Sequence, residues 1–267
     1  MKLEILLSTM NLNGMEENKQ LLNKMNAQID TLTINQITKP EIQEENNMYS
    51  RNRLISVRDR GLSKSRNMAI ENAKGDICII ADDDVKYVDN FQKIIENEYK
   101  KNKKYDIICF WIESNNKNRK IKRMMTSSLG RIRAMRICSV QMTFKREKII
   151  EKGIMFNENF GIGASCDRGE ENIFLWECIR KGLKIKFVNK KIADVNLENS
   201  AWFDGFTEDY FVKQGRVFYE LSNRYYKLLA LQFAVRKYHL YKKSMGLNEV
   251  IKALLSGAQK QKYYNQN

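Results

Sequence analysis

The 267-residue sequence predicts an α/β fold, in which a mostly parallel central sheet is flanked by helices. Short strand-like segments alternate with amphipathic helical segments through the first third of the chain, as in βαβ units. Residues 77–81 form an uninterrupted apolar run, which is typical of a strand buried on both faces. The 43% hydrophobic fraction is ordinary for a chain that builds a sizeable core.

The first βαβ unit spans residues 3–38. Residues 3–7 are an apolar strand candidate, and small polar residues follow them. Residues 16–27 carry apolar side chains at helical spacing, and residues 30–38 alternate threonine with isoleucine as a strand does. Residues 39–52 are polar, contain the only proline and predict a loop before a brief strand at 54–57.

A helix is then predicted to begin at Ser63, a suitable N-cap, and to lead into Gly75 and the apolar run. Low apolar density and many cations between residues 115 and 136 indicate a mobile basic excursion. The remaining elements predicted before the C-terminal region are a helix at 90–104, a strand at 105–112, a strand at 139–144, a helix at 145–152, a helix from 170 to 182 and a strand at 183–188.

The net charge of +15 concerns partners and not the fold. Basic clusters attract nucleic acid, an anionic membrane leaflet or phosphorylated substrates, although charge runs also form ordinary solvated faces. From residue 193 onward, aromatic residues interleave with lysine and arginine on helical segments. Such helices suit either an interfacial membrane contact or packing on the core with the cations in water.

No apolar run reaches the roughly 18 residues that a spanning helix needs, and no leader-like segment opens the sequence. The five cysteines are odd in number, widely spaced and lack a C-x-x-C pair, so neither a disulfide framework nor a zinc site is predicted. We expect a cytoplasmic protein, with a peripheral position on the inner face of a membrane as one alternative. His239 is the only histidine, which excludes histidine-based catalysis elsewhere in the chain.

Three consecutive carboxylates, Asp82 to Asp84, end the apolar run. Their mutual repulsion is relieved most simply by a cation, and Mg²⁺ or Mn²⁺ prefers such oxygen ligands. Alternation along an extended strand would place Asp82 and Asp84 on one side, which makes them the candidate metal pair. The alternative is an acidic turn with an N-cap for a helix that begins near Asp89.

Two further features bear on chemistry. Arg66 could form bidentate bonds to a nucleotide's diphosphate, or could pair with an Asp in a purely structural role. Glu170 and Glu171 follow a glycine-rich loop (residues 160–169) and open a helix, whose dipole favours their ionised form. An ionised carboxylate is what a general base must be, but complementation of the dipole explains the pair equally well.

Three segments taken in order carry a resemblance: GLSKSRN at 61–67, GDICIIADDDV at 75–85, and FGIGA at 160–164 followed by GEENIFL at 169–175. With them the chain resembles family 2 glycosyltransferases of the GT-A fold over about residues 1–205. The resemblance implies inverting transfer of a sugar from a nucleotide diphosphate donor, usually a UDP-sugar, aided by Mg²⁺ or Mn²⁺.

On that resemblance, Asp82 to Asp84 look like the D-x-D region, with Asp82 and Asp83 at the donor and Asp82 and Asp84 at the metal. Glu170 and Glu171 look like the Glu-Asp pair that supplies the base, and which of the two takes the proton stays open because Glu171 replaces Asp. Thr9 and Arg66 are similar in position to donor-binding residues. Many relatives place a histidine ligand after the next strand, where this chain offers only Asp194 or Asn196 as oxygen ligands.

The sequence therefore predicts a glycosyltransferase domain at 1–205 and a helical basic and aromatic extension at 206–267. We expect a hexosyl- or N-acetylhexosaminyltransferase that works on a glycan or lipid-linked acceptor in surface polysaccharide or glycolipid synthesis, without nucleic acid. Two alternatives stay open. One is a non-catalytic glycosyltransferase-like protein, motivated by the missing histidine and the Glu-Glu pair, and the other is a basic nucleic-acid-binding protein or metal-dependent nuclease, motivated by the charge and the Asp cluster.

Overall fold

The computed structural model describes residues 1–116, 121, 123–196 and 205–266. The strands in these ranges are β1 (Leu3–Met10), β2 (Asp30–Gln36), β3 (Glu45–Tyr49), β4 (Asn52–Val57), β5 (Ile77–Asp82), β6 (Val85–Tyr87), β7 (Ile107–Ser114), β8 (Ser127–Leu129), β9 (Met142–Lys145) and β10 (Ile185–Val195). The helices are α1 (Gly14–Lys24), α2 (Leu62–Asn72), α3 (Phe91–Lys101), α4 (Arg131–Ala134), α5 (Arg146–Glu151), α6 (Glu170–Arg180), α7 (Glu208–Leu221), α8 (Tyr226–Tyr241) and α9 (Leu247–Tyr264).

One mixed sheet organises the molecule, in the order β3-β4-β2-β1-β5-β9-β7-β10-β6, with β8 against β10. The neighbours β4, β2, β1 and β5 run parallel, and so do β7 and β10. Strand β9 runs antiparallel between β5 and β7. The α/β prediction is confirmed. Because β1, β2 and β5 are parallel, their last residues, Met10, Gln36 and Asp82, lie at the same edge of the sheet.

Strand β5 shows how the sheet builds two cores. Ile77, Ile79 and Ala81 belong to one hydrophobic cluster, whereas Cys78 and Ile80 belong to another. All five side chains are buried, as expected for a strand covered on both faces. This buried strand carries Asp82, the first of the three consecutive aspartates, to the sheet edge.

Three segments differ from their predictions. The predicted strand 139–144 is a 3-10 helix at Ser139–Gln141, and only its end belongs to β9. The predicted loop 39–52 contains β3, which forms a hairpin with β4 and is mostly exposed. Ser50, in the turn between them, has a φ of +55°. The predicted basic excursion 115–136 contains β8 and α4 in its described part, and the guanidinium of Arg123 lies 4.4 Å from the ring centre of Trp111.

The C-terminal helices α7, α8 and α9 share a hydrophobic cluster that includes Trp176 of α6. Helices α7 and α9 pack backbone against backbone, since a Cβ on Gly215 or Gly257 would lie 1.9 Å from a carbonyl oxygen of the other helix. Val217 of α7 also packs with Phe160 of the glycine-rich loop. The helical extension is confirmed as helical, and a boundary at residue 205 stays a prediction. Among the described residues, no helix is both long and apolar enough to cross a bilayer.

Candidate active site

A cavity of about 730 Å³ opens where β1, β2 and β5 end. We call it the donor cavity after the role proposed for it below, and it contains Asp82 to Asp84 (the first acidic cluster) and side chains from the ends of β1 and β2. Its lining includes Thr9, Met10, Lys24, Gln36, Arg60, Asp82, Asp83, Asp84, Lys86, Ile162, Asp194 and Asn196. A crevice outside the carboxyl ends of parallel strands is the usual ligand site of an open α/β sheet.

Two predicted donor-binding residues contact each other at this edge. The Thr9 hydroxyl donates a 2.6 Å hydrogen bond to the carboxylate of Asp83. Asp83 is exposed, and both residues line the donor cavity. The structure thus brings Thr9 and Asp83 together as the resemblance implied, and their role toward a donor stays a prediction.

Arg66 lies beneath the donor cavity and not on its wall. Its guanidinium is 1% exposed and donates to Glu170 at 2.9 Å, to Asp82 at 3.1 Å and to the Ser139 hydroxyl at 2.8 Å. Burial acts to lower the pKa of Arg66, but the charges of Asp82, Glu170 and Glu171 outweigh it, so the pKa is raised. Of the two alternatives for Arg66, the structure shows pairing with Asp, extended to Glu170, and direct donor binding stays a prediction.

Helix α2 holds Arg66 in this position, and it begins earlier than predicted. Gly61, with a φ of +132°, occupies the N-cap position, whereas Ser63 lies inside the first turn. The Ser63 hydroxyl donates to the carbonyl of Phe160 at 2.6 Å instead of capping the helix. The amide of Leu62 donates to the carbonyl of Ile162, so the start of α2 is fixed to the glycine-rich loop.

Asp84 has a buried carboxylate oxygen, Oδ1, that lacks a hydrogen-bond partner among the described residues. Burial, together with the charges of Asp82 and Asp83, raises the pKa of Asp84 to about 6. A buried, unpaired carboxylate is costly, and a bound cation would relieve that cost.

The predicted metal pair needs one correction. Strand β5 ends at Asp82, and Asp83 and Asp84 lie in the turn before β6, so strand alternation does not set their directions. Asp82 pairs with Arg66, whereas Asp84 keeps a buried carboxylate oxygen that has no partner among the described residues. Within the described ranges, no group of three or more His, Cys, Asp or Glu side chains is arranged to hold a metal.

The site nevertheless fits a divalent cation that takes most of its ligands from substrate and water, as Mg²⁺ commonly does. Of the proposed substitutes for a histidine, Asp194 lines the donor cavity but pairs with Lys191 at 2.7 Å. The amide of Asn196 donates to the carbonyl of Asp84 at 3.0 Å, which fixes the turn that carries Asp84.

A second cavity of about 360 Å³ lies at the N-terminus of α6. We call it the acceptor cavity after the role proposed for it below. It is lined by both predicted catalytic carboxylates, Glu170 and Glu171, and by Arg168, Asp167, Asp209, Tyr210 and Lys213 among others. Glu170 is buried and paired with Arg66, whereas Glu171 is half-buried, makes no ion pair with a described residue and accepts a 3.3 Å hydrogen bond from Asn172. The geometry favours Glu171 as the group that is free to accept a proton.

The pKa of Glu171 is raised well above its ordinary value by burial and then by the neighbouring charge of Glu170, an effect that the charge of Arg66 opposes. A base with a raised pKa holds a proton more strongly, which suits a carboxylate that must remove one from a hydroxyl. Gly169, just before α6, has a φ of +84°, and an added Cβ would lie 2.5 Å from Val217. This close approach to α7 fixes the start of α6 and therefore the position of Glu170 and Glu171.

The two acidic clusters line two neighbouring cavities, not a single one. Ile162 of the glycine-rich loop lies on the walls of both cavities. Beneath it, the guanidinium of Arg66 joins Asp82 of the first cluster to Glu170 of the second. The clusters are therefore adjacent and share Arg66 as an ion-pair partner, and Asp84 lines one cavity while Glu171 lines the other.

Sequence reasoning missed three cations at the donor cavity. Lys24, Arg60 and Lys86 line it from α1, from the segment before α2 and from β6. All three are exposed, and none makes an ion pair with a residue that the structure describes. In the sequence they are three lysines and arginines among 47, and only the topology brings them to one edge.

The structure is similar to that of a fragment of a protein from Staphylococcus aureus, TarS 1-349, with a TM-score of 0.62 at 11% identity. That match covers 98% of this chain and 83% of the other. The same fragment in complex with UDP-GlcNAc gives a TM-score of 0.65 at 13% identity, covering 97% and 82% of the two chains. In complex with UDP, it gives 0.62 at 13% identity, covering 98% and 83%.

At these identities the likeness shows the fold alone. No curated protein matches the chain by sequence. The sequence profile of Glycosyl transferase family 2 matches residues 35–168, which is half of the chain and includes α2, the three aspartates and the glycine-rich loop. The chain belongs to glycosyl transferase family 2.

Proposed function

We propose that this glycosyltransferase moves a sugar from a UDP-sugar to a hydroxyl acceptor with inversion at the anomeric carbon. The observation that carries the proposal is the pair of adjacent cavities, one with the unpaired carboxylate of Asp84 and the other with Glu171. A transfer needs these two environments side by side, one for a leaving diphosphate and one for an attacking hydroxyl.

The cations of the donor cavity support an anionic donor. Lys24, Arg60 and Lys86 would face the diphosphate, where charge-assisted hydrogen bonds to phosphate oxygens are stronger than neutral ones. The structure of the TarS fragment with UDP-GlcNAc motivates uridine as the base and a hexose or N-acetylhexosamine as the sugar. Thr9 and Asp83 would form part of the nucleoside site at the end of β1.

Asp84 would hold a Mn²⁺ or Mg²⁺ ion, with Asp82 and Asp83 completing the acidic surface around it. Such an ion acts as a Lewis acid that stabilises the negative charge on a departing diphosphate. Asp82 remains bound to Arg66, so its part is to position the turn and to add charge.

Glu171 would act as the general base. Its carboxylate takes the proton of the acceptor hydroxyl as the hydroxyl oxygen forms a bond to the anomeric carbon, and the bond from that carbon to the diphosphate oxygen breaks. A single displacement from the opposite face inverts the configuration. Glu170, fixed by Arg66, would raise the basicity of Glu171 without taking the proton itself.

The acceptor cavity suits a glycan or a lipid-linked sugar. The Arg168 guanidinium lies 4.2 Å from the ring centre of Tyr210, and Lys213 bridges Asp167 and Asp209 at 2.7 Å each. Aromatic surface with a few fixed polar groups is typical of small-molecule sites. We propose a role in surface polysaccharide or glycolipid synthesis on this basis.

Thermal unfolding with UDP, GDP and TDP, each with and without Mn²⁺, tests the donor site. At about 100 times its Kd, a ligand stabilises by about 2.7 kcal/mol, which raises the Tm by about 5 to 10 °C for a chain of this size. We expect that shift for UDP with Mn²⁺ and a smaller one without it. Stabilisation by single-stranded DNA alone would overturn the proposal in favour of a nucleic-acid-binding protein.

The anomeric configuration of the product tests the mechanism. With a donor panel and a panel of sugar acceptors, NMR of the product should show the configuration opposite to that of the donor. Retention would contradict a single displacement with Glu171 as the base. UDP binding with no transfer to any acceptor and no donor hydrolysis would support the non-catalytic alternative instead.

A further inference from the structure

Helix α8 exposes a continuous apolar stripe. Leu228, Leu231, Val235 and Tyr238 are 63%, 49%, 57% and 42% exposed, respectively. Their spacing of three and four residues places them along one side of the helix, over about 15 Å. Single exposed apolar residues are normal, but a contiguous row of this kind marks an interaction surface.

The opposite side of α8 accounts for its place in the fold. Leu229, Ala230, Ala234 and Tyr241 are buried and pack in the cluster shared with α7 and α9. The Tyr241 hydroxyl donates to the carbonyl of Ala234 at 2.6 Å, so the buried side is satisfied within the helix. The stripe is therefore not needed to hold α8 in place, and its apolar surface requires another explanation.

The charge around the stripe identifies the partner. Residues 221–248 contain no Asp or Glu but six lysines and arginines, of which Lys227, Arg236 and Lys242 are exposed on α8 or at its end. None of these three forms an ion pair within the described part of the chain. A second copy of the chain would bring the same cations into contact with one another, which is unfavourable.

We propose that the exposed face of α8 docks on an anionic lipid bilayer. The stripe would enter the boundary between headgroups and acyl chains, with Tyr238 at headgroup level, and the cations would face lipid phosphates. Interfacial helices bind anionic lipid through such an apolar stripe together with nearby cations, and the lack of acids in residues 221–248 leaves no repulsion from the lipid. The inference concerns a surface outside both cavities and goes beyond the transfer reaction.

Co-sedimentation of the full chain with vesicles tests the inference. We expect binding to vesicles that contain phosphatidylglycerol and weak binding to pure phosphatidylcholine. The double variant Leu228→Glu/Val235→Glu should reduce the affinity at least about twentyfold, because it removes apolar contact and adds charge repelled by the lipid. The matched control Met48→Glu/Ile150→Glu changes the net charge equally at exposed apolar positions on β3 and α5 and should leave binding unchanged.

The basic border has its own pair of variants. Each cation near an anionic leaflet contributes about a fivefold factor in affinity. Lys227→Gln/Arg236→Gln/Lys242→Gln should therefore lose much more affinity than Lys93→Gln/Lys100→Gln/Lys103→Gln, which removes three exposed charges on and after α3. Equal losses in the two triple variants would reduce the effect to net charge and overturn the role of α8.

Two other outcomes also overturn the inference. One is no difference between anionic and neutral vesicles. The other is a dimer in sedimentation velocity that Leu228→Glu/Val235→Glu dissociates, because the stripe would then bind a second copy. Hydrolysis of a soluble donor should be unchanged in every α8 variant, so failure of the membrane inference is distinguishable from failure of the proposed reaction.

Discussion

Replacement of Arg66 by methionine removes a buried cation that pairs with both acidic clusters. The guanidinium is 1% exposed, and it makes charge-assisted bonds to Asp82 and Glu170, whose side chains are 18% and 8% exposed. Loss of one partner from a buried ion pair costs about 3–5 kcal/mol, because the remaining charges stay buried without compensation. Methionine keeps most of the aliphatic volume, so the change tests the charge more than the packing.

The expected loss of unfolding free energy corresponds to a Tm about 6 to 20 °C lower for a chain of this size. Urea unfolding followed by circular dichroism at pH 7.5 measures the free energy directly. Arg180→Met is the matched control: the Arg180 side chain is 72% exposed and pairs with Glu177 on the same helix, so its loss should cost less than about 0.5 kcal/mol.

A rescue variant separates charge from packing. If uncompensated charge causes the loss, Arg66→Met/Asp82→Asn/Glu170→Gln should recover most of the stability, since a neutral group replaces each buried charge. The reasoning is refuted if Arg66→Met costs less than about 1 kcal/mol, or if the triple variant is no more stable than the single variant.

Three further predictions follow from single positions. The pKa of Asp84 is raised to about 6, so ionisation of this carboxyl lowers the free energy of unfolding as the pH rises from about 4 to 6. Asp84→Asn should therefore raise the free energy of unfolding by about 1–2 kcal/mol at pH 7.5 without divalent ions and leave it unchanged at pH 4. Paired urea titrations at the two pH values measure the difference. The transfer rate should rise with pH as Glu171, whose pKa is raised, loses its proton. Glu170→Gln should move this rise to lower pH, because it removes a neighbouring negative charge; a pH–rate profile that does not move would argue against this coupling. Gly215→Ala should destabilise by about 2–3 kcal/mol because its Cβ would meet α9 backbone, whereas Gly130→Ala, with open space around it, should not; equal Tm values would show that α7 and α9 are less closely packed.

Local patterns in the sequence were enough to predict the sheet and the edge where the acids lie. The run from Ile77 to Ala81 is buried on both faces, and its end at Asp82 places the carboxylates beside β1. By contrast, β3 has little apolar periodicity and is held by its ladder with β4, which leaves no signal in its own five residues. Hydrophobic periodicity arises from the burial of one face, so it does not predict strands that are exposed on both faces.

The chemistry of the site was predictable only in part. Arg66 and Glu170 lie 104 positions apart, and no local pattern could show that one guanidinium binds both Asp82 and Glu170. The predicted alternation of Asp82 and Asp84 was wrong because the strand ends at the first of them. Which carboxylates are free and which are paired depends on these long-range contacts.

The most direct test of a divided site is to measure binding and turnover separately in two variants. Titration of UDP in the presence of Mn²⁺ should give Glu171→Gln a Kd close to that of the wild type, while its transfer rate falls by about 10² to 10⁴. Asp84→Asn should instead lose the Mn²⁺ dependence of UDP binding. The control is Asp76→Asn, at the other end of β5, which should keep both the transfer rate and the Mn²⁺ dependence of UDP binding. If Glu171→Gln weakens UDP binding as much as Asp84→Asn does, or if it transfers sugar at the wild-type rate, the assignment of leaving group and base to two cavities is contradicted.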